Sequence, residues 1–303
     1  MVIDETHLEL SLPYAHTLTG RNTALPGDLL LNPLLWFLAI VGLIIAWVLG
    51  RPILRERRRE RLRCTPFPAA SERLLQGQVP IYRRLPVPLK QQLQEHIQVF
   101  LAEKEFYGCA GLEVTEAMRV LIAAQACLLI LNRKTDYYGK LRSILVYPSA
   151  FIVRQEHRDE AGVVTIAPHV HTGESWEVGR VILAWDEVEE GLRGRSGSNV
   201  VLHEFAHQLD EEDRAADGVP LLADPAHYQT WARVFSKEYQ ALREIAPRGE
   251  PTVLDPYGAE APAEFFAVAT EAFFQTPEQL KHHHPELYEQ LREYYRVDPA
   301  AWG

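Results

Sequence analysis

A mostly helical α+β domain with a small sheet, preceded by one transmembrane helix, is the fold class that this 303-residue sequence predicts. Three observations carry it. Residues 29–49 are 21 in a row without a charge, apolar side chains recur at helical spacing along most of the chain after residue 89, and short β-branched runs crowd between residues 144 and 185.

The first 28 residues hold Pro13, Gly20, Pro26 and Gly27, show no sustained periodicity and read as an exposed tail. As a helix, residues 29–49 span about 31 Å, the thickness of a bilayer's hydrocarbon core, so the lipid bilayer is an expected partner of this segment. Pro33 falls in the first turn, where a missing N–H costs little, and Trp36 and Trp47 stand near the two ends, as interfacial aromatics do. A cleaved signal peptide would need basic residues ahead of a shorter apolar core and a small-x-small site behind it; the lead here is acidic. Seven arginines follow between residues 51 and 63. The positive-inside rule then predicts a single-pass protein of the inner membrane, with the N-terminus outside and the chain after the span in the cytoplasm. The arginines also suit anionic lipid headgroups, although a stop-transfer flank suffices to explain them.

Residues 50–70 are expected to form a basic juxtamembrane linker, and residues 71–303 the folded domain. Pro66, Pro68, Pro80, Pro86 and Pro88 mark an extended entry into it. Leu89, Leu93, Ile97, Phe100 and Leu101 predict a helix from Leu89 to Phe106, ended by Gly108 and Gly111. A second helix starts near Thr115 and runs to Leu131. The runs ILVYP, FIVRQ, VVTIAP and VGRVILAW then read as successive strands of one small sheet, with His169 and His171 at the surface between strands and Trp176 and Trp185 in the core. After an acidic loop come an amphipathic helix over residues 228–245, a loop from Pro247 to Pro262, a helix over 263–274, and a last helical stretch opened by Thr276 and Pro277. His282, His283 and His284 are consecutive, so on a helix they point apart and are not read as ligands.

The formal net charge of −10 argues against nucleic acid as a partner, because phosphate binding needs a concentrated basic face, and residues 71–303 carry 23 basic against 35 acidic side chains. Cys64, Cys109 and Cys127 are odd in number and lack C-x-x-C spacing, which implies neither a disulfide framework nor a cysteine metal site.

The chemistry is concentrated in Val201 to Asp210, VLHEFAHQLD, where His203, Glu204 and His207 form H-E-x-x-H. Residues four apart lie above one another on a helix, so the two imidazoles reach one metal ion from one face. Glu204 is rotated by about 100°, out of the ligand set and toward the place of a general base for hydrolysis. Ser198 and Asn199 supply a candidate N-cap, and the flanking Val, Leu, Phe and Ala residues bury the helix. Buried imidazoles and carboxylates call for a pairing agent, which a zinc ion provides. Two residues compete for the third ligand position. Asp213 lies six residues after His207, but the position where zincins with that offset carry a turning glycine is here Asp210. Glu264 lies with Glu271 on one stripe of an otherwise apolar helix, where the first would serve as ligand and the second would orient a ligand histidine.

The stretches GSNVVLHEFAHQLD, WEVGRVILAWDEV and DPYGAEAPAEFFAVATEAFF resemble the Mlc titration factor A family of zinc metallopeptidases, which is similar in its active site to the catalytic domain of anthrax lethal factor. The resemblance covers most of the chain from Ser71 onward. It implies a gluzincin-like peptidase of peptide or protein substrates, with zinc on His203, His207 and Glu264, Glu204 as catalytic base, and Tyr257 directed at the site. It also implies that VGRVILAW runs along the cleft and pairs with an extended substrate. Endopeptidase and aminopeptidase action both remain open. A second class follows from the same resemblance, since the family's namesake binds a transcriptional repressor: a membrane-tethered protein that sequesters a transcriptional regulator, with incidental peptidase activity.

Overall fold

The computed structural model describes residues 33–149, 151–158, 164–171, 173–174, 179–194, 197–213 and 217–302. The tail over residues 1–28, the start of the apolar run and Trp176 lie outside them. The chain divides into two compact units, Met1–Arg57 and Arg58–Gly303. The first contains the apolar part of helix α1 (Pro33–Arg63), whose large side chains, among them Trp36, Leu43 and Trp47, are exposed all round. Among the described residues this is the one helix long and apolar enough to cross a membrane.

Residues 50–63 are helical where a linker is expected: α1 passes through Pro52 and ends at Arg63, because the segment after Pro52 is built of Arg, Glu, Leu and Ile, of which the first three are strong helix formers. Nor is the proline-rich stretch extended. It forms α2 (Ala69–Gln78), α3 (Pro80–Arg84) and the start of α4 (Val87–Glu103), with Pro80 and Pro88 in first turns, where proline is at home. Arg59 departs from the reading of the arginines as a flank. It is buried in the second unit, its Nε 2.7 Å from Oε1 of Glu103 and its Nη1 2.9 Å from Oδ1 of Asp136.

Helix α4 stops at Glu103, short of the expected Phe106, and the chain turns into strand β1 (Glu105–Gly108). Buried Lys104 fixes the turn by donating to the carbonyls of Tyr138 and Leu141 at 2.7 and 2.8 Å. Helix α5 (Glu116–Leu128) is capped by Thr115, whose hydroxyl accepts the Met118 N–H. The remaining strands are β2 (Ser143–Tyr147), β3 (Phe151–Arg158), β4 (Val164–His171), β5 (Gly173–Glu174) and β6 (Arg180–Ala184). They do not make one sheet of successive strands. β1, β2 and β6 are parallel neighbours, β5 joins β6 antiparallel at the edge, and β3 and β4 form a separate hairpin. His169 and His171 accordingly lie within a strand. β6 is paired with β2 along its whole length and with β5 only at Ile182 and Leu183.

Trp185 opens a helix, α6 (Trp185–Arg193), closed by Gly194 in the left-handed region at φ 62°. Then come α7 (Val200–Asp210), α8 (Tyr228–Ile245), α9 (Pro262–Gln275), α10 (Pro277–His283) and α11 (Pro285–Tyr295), the last two parted at Pro285. Helices α7 and α9 lie at the centre. Phe205 of α7 packs on Phe100 and Tyr138, and Phe265 and Phe266 of α9 pack on Phe235, itself stacked on Trp231 at 3.9 Å.

Candidate metal centre

Asn199 starts α7: its side-chain oxygen accepts the Leu202 N–H at 3.1 Å. Val201, Leu202, Phe205, Ala206 and Leu209 are buried in the core, which leaves His203 and His207 on the remaining face, directed at α9. Their Nε2 atoms are 3.2 Å apart. Oε2 of Glu264, in the first turn of α9, lies 3.0 Å from Nε2 of His203 and 3.4 Å from that of His207. Three donor atoms from three side chains thus lie within 4.8 Å of one another.

The next layer orients this trio. Nδ1 of His203 is 2.7 Å from Oε1 of Glu271, two turns along α9 from Glu264, while Oε2 of Glu271 accepts the backbone N–H of Asn199. The Asn199 amide donates in turn to Oε1 of Gln125 on α5 at 2.7 Å. One glutamate therefore ties the cap of α7 to a histidine one turn further on and directs the Nε2 of that histidine at the trio. At the other end of α7, Lys140 donates to the carbonyls of Glu211 and Glu212.

Glu204 is 3 % exposed, and its Oε2 has no hydrogen-bond partner. Burial pushes its carboxyl up to about 7, with His203 and His207 pulling the other way. Burial alone would lower His203, but the carboxylates of Glu264 and Glu271 outweigh it and hold the imidazole well above its ordinary value; burial would raise Glu264, and the two histidines hold it low. The cluster is a negative field that holds protons between its groups, the environment a divalent cation would occupy in their place.

Tyr257 is carried by a short 3-10 turn, Pro256–Ala259, where Asp255 accepts its N–H at 2.9 Å. Its ring centroid lies 5.9 Å from that of His203, and the side chain is 47 % exposed, at the mouth of the cluster. Gly258, next to it, packs closely on its neighbours. A Cβ there would lie 3.2 Å from both Leu242 and Val268, and Val268 is one turn beyond Glu264 on α9. The rival ligand Asp213 ends a 3-10 turn after α7, and its side chain lies outside the described residues. Asp210 is buried, and its Oδ2 accepts the Gly218 N–H at 2.8 Å. Sequence reasoning singled out Asn199 as a cap and missed Gln125, Lys140 and Gly218, whose roles arise only from contacts distant in the chain.

The donor set suits a metal: two imidazoles and a carboxylate converge, one imidazole already has its far nitrogen bonded to a carboxylate, and a buried acid stands beside them without a partner of its own. Comparison with known proteins points the same way. The profile of the family described as glucose-regulated metallo-peptidase M90 matches residues 54–296. An uncharacterized protein of Synechocystis is 43% identical over 258 residues, covering 84% of this chain and 94% of its own length. Proteins named Mlc titration factor A are 36% identical in Pectobacterium atrosepticum, over 74% of this chain and 84% of theirs, and 32% identical in Yersinia pestis, over 74% and 83%.

Proposed function

This chain belongs to the glucose-regulated metallo-peptidase M90 family, and from that premise we propose that it is a zinc peptidase whose catalytic set is His203, His207, Glu264, Glu204 and Tyr257. The observation that supports it most is the convergence of Nε2 of His203, Nε2 of His207 and Oε2 of Glu264 beside a buried, unpartnered carboxylate. His203, His207 and Glu264 would hold the ion. Zinc bound by such a set supplies a Lewis acid that polarises a scissile carbonyl and acidifies water.

Within that frame the side chains divide the work. Glu204, buried and raised, is suited to take a proton from the attacking water and deliver it to the departing amine. Glu271 keeps the proton of His203 on Nδ1, which leaves Nε2 as donor to the ion. Tyr257 at the mouth is suited to donate its phenolic proton to the tetrahedral oxyanion. VGRVILAW, with the two-residue edge strand β5 beside its Ile182 and Leu183, is suited to pair with an extended peptide.

The exposed apolar helix before Gly50 and the arginines after it support a membrane-anchored protein of the inner membrane with the peptidase unit in the cytoplasm. A second reading rests on the names of the relatives, which make those proteins titration factors for Mlc. It gives this chain a transcriptional regulator as partner. Cleavage of a peptide library by the purified full-length chain, lost on chelation and restored by zinc, tests the peptidase. A Glu204→Gln variant that keeps zinc should lose cleavage by about 100-fold or more. Full cleavage by that variant would sink the assignment of the base.

A further inference from the structure

We propose that Gly218, held by Asp210, is a positioning residue that sets where Glu264 stands against the two imidazoles; the proposal rests on the metal-site reading above. The trio comes from two helices, and something must fix the start of α9 relative to the end of α7. Asp210 is the last residue of α7, three after His207, and Pro262 is the first of α9, two before Glu264. Gly218 sits between them.

Three contacts define its place. Its N–H donates to Oδ2 of Asp210 at 2.8 Å, its carbonyl accepts the Trp231 indole N–H at 3.3 Å, and its Cα side faces the backbone of Pro262. A Cβ on residue 218 would lie 2.4 Å from the Pro262 carbonyl oxygen and 2.7 Å from its carbon. The backbone is also in the left-handed region, at φ 79°. Restoring even 3.0 Å would need a shift of at least about 0.6 Å. Catalytic constellations tolerate about 0.5 Å.

The shift cannot be taken up harmlessly on the other side. Moving residue 218 away from Pro262 would pull its N–H from Asp210, whose carboxylate is wholly buried, and its carbonyl from Trp231. Moving Pro262 instead displaces the first turn of α9, and Glu264 with it. The first path breaks two buried hydrogen bonds, so the second is the one open, and it changes the geometry of the third ligand while it leaves the i, i+4 spacing of His203 and His207 intact.

The test is a cycle of variants in the full-length chain purified in detergent micelles, with zinc affinity measured by competition against a chromogenic chelator. Gly218→Ala should weaken zinc binding by about 10- to 100-fold, the scale seen when partners of metal ligands are removed. In a Glu264→Ala background the same substitution should add almost nothing, because it acts through the residue already lost. With cobalt(II) in place of zinc, the visible absorption of Gly218→Ala should move toward that of Glu264→Ala. Unchanged affinity, or losses that add across the cycle, would overturn the proposal. Should Gly218→Ala show no cooperative melt, Asp210→Asn takes its place in the cycle. It should weaken zinc less, and silently once Glu264 is gone; a loss that persists without Glu264, or no loss at all, overturns the proposal as well. Wild-type chain that binds no zinc removes the metal-site reading and this one together, whereas wild-type binding matched by Gly218→Ala removes this one alone.

Discussion

Glu271 holds Nδ1 of His203 at 2.7 Å with one carboxylate oxygen and the backbone N–H of Asn199, at the head of the same helix, with the other. Both partners are donors, so both oxygens must accept. Glutamine at this position would turn one of them into an amide that faces a donor.

Glu271→Gln should therefore weaken zinc binding by about 10- to 100-fold while the chain stays folded, as removal of such orienting groups does. Chelator competition gives the affinity, and circular dichroism the fold. Wild-type affinity would mean that the carboxylate does not orient His203.

Tyr257→Phe separates the phenol from the metal. With the ring 5.9 Å from His203 and the side chain half exposed, its loss should leave zinc content and substrate affinity unchanged. The turnover number should fall by about 100- to 1000-fold, the cost of one oxyanion donor. Near-full turnover in steady-state kinetics would reduce the tyrosine to packing.

Arg59 predicts where the folded unit begins. Its guanidinium pairs with Glu103, itself largely buried, and Arg59→Ala would strand that carboxylate at a cost of about 3 kcal/mol. A chain begun at Arg58 should accordingly melt well above one begun at Ser71, and Arg59→Lys should recover little, since an ammonium cannot make the two-nitrogen contact with Glu103. Equal melting temperatures for the two truncations would refute it.

Acid should destabilise the protein through His96. Its Nδ1 is 2.9 Å from the Tyr137 hydroxyl and its Nε2 is buried without a partner; burial, helped by Arg63, lowers the imidazole from 6.5 to about 4. Between those values the unfolded chain takes up a proton that the folded one refuses. Stability from this group is thus full above about pH 6.5 and is lost as pH falls toward 4, by about 3 kcal/mol in all. Thermal unfolding across that range should show the slope, and His96→Gln should flatten it. An unchanged slope in the variant would assign the acid sensitivity elsewhere.

Much of the site could be read from the chain because its grammar is local. His203 and His207 announce themselves by a spacing of four, and Glu264 and Glu271 stand out as carboxylates on an apolar helix. The helices α5, α7, α8 and α9 follow from caps and periodicity within a few residues of their observed ends. What escaped depends on distant partners. β1 is four residues long and pairs in parallel with a strand that begins at Ser143, so no hairpin signal precedes it. Arg59 looks like the six other arginines around it until Glu103 and Asp136, 44 and 77 positions away, arrive beside it. Gly218 reads as one more turn residue in an acidic loop until the backbone of Pro262 comes to rest against it.

The trio is also uneven in chain distance. His203 and His207 are neighbours before any folding, whereas Glu264 is 61 positions from His203. A denatured chain can offer a cation the imidazole pair without effort, but to add the carboxylate it must first close a long loop, which costs entropy. A cation that needs all three therefore weighs the native state against the unfolded one. At a thousand times its dissociation constant such an ion adds at most about 4 kcal/mol to the folded side, less whatever the imidazole pair binds in the unfolded chain. Metal supply would then govern how long each copy of the protein resists proteolysis, quite apart from whether that copy can cut a substrate.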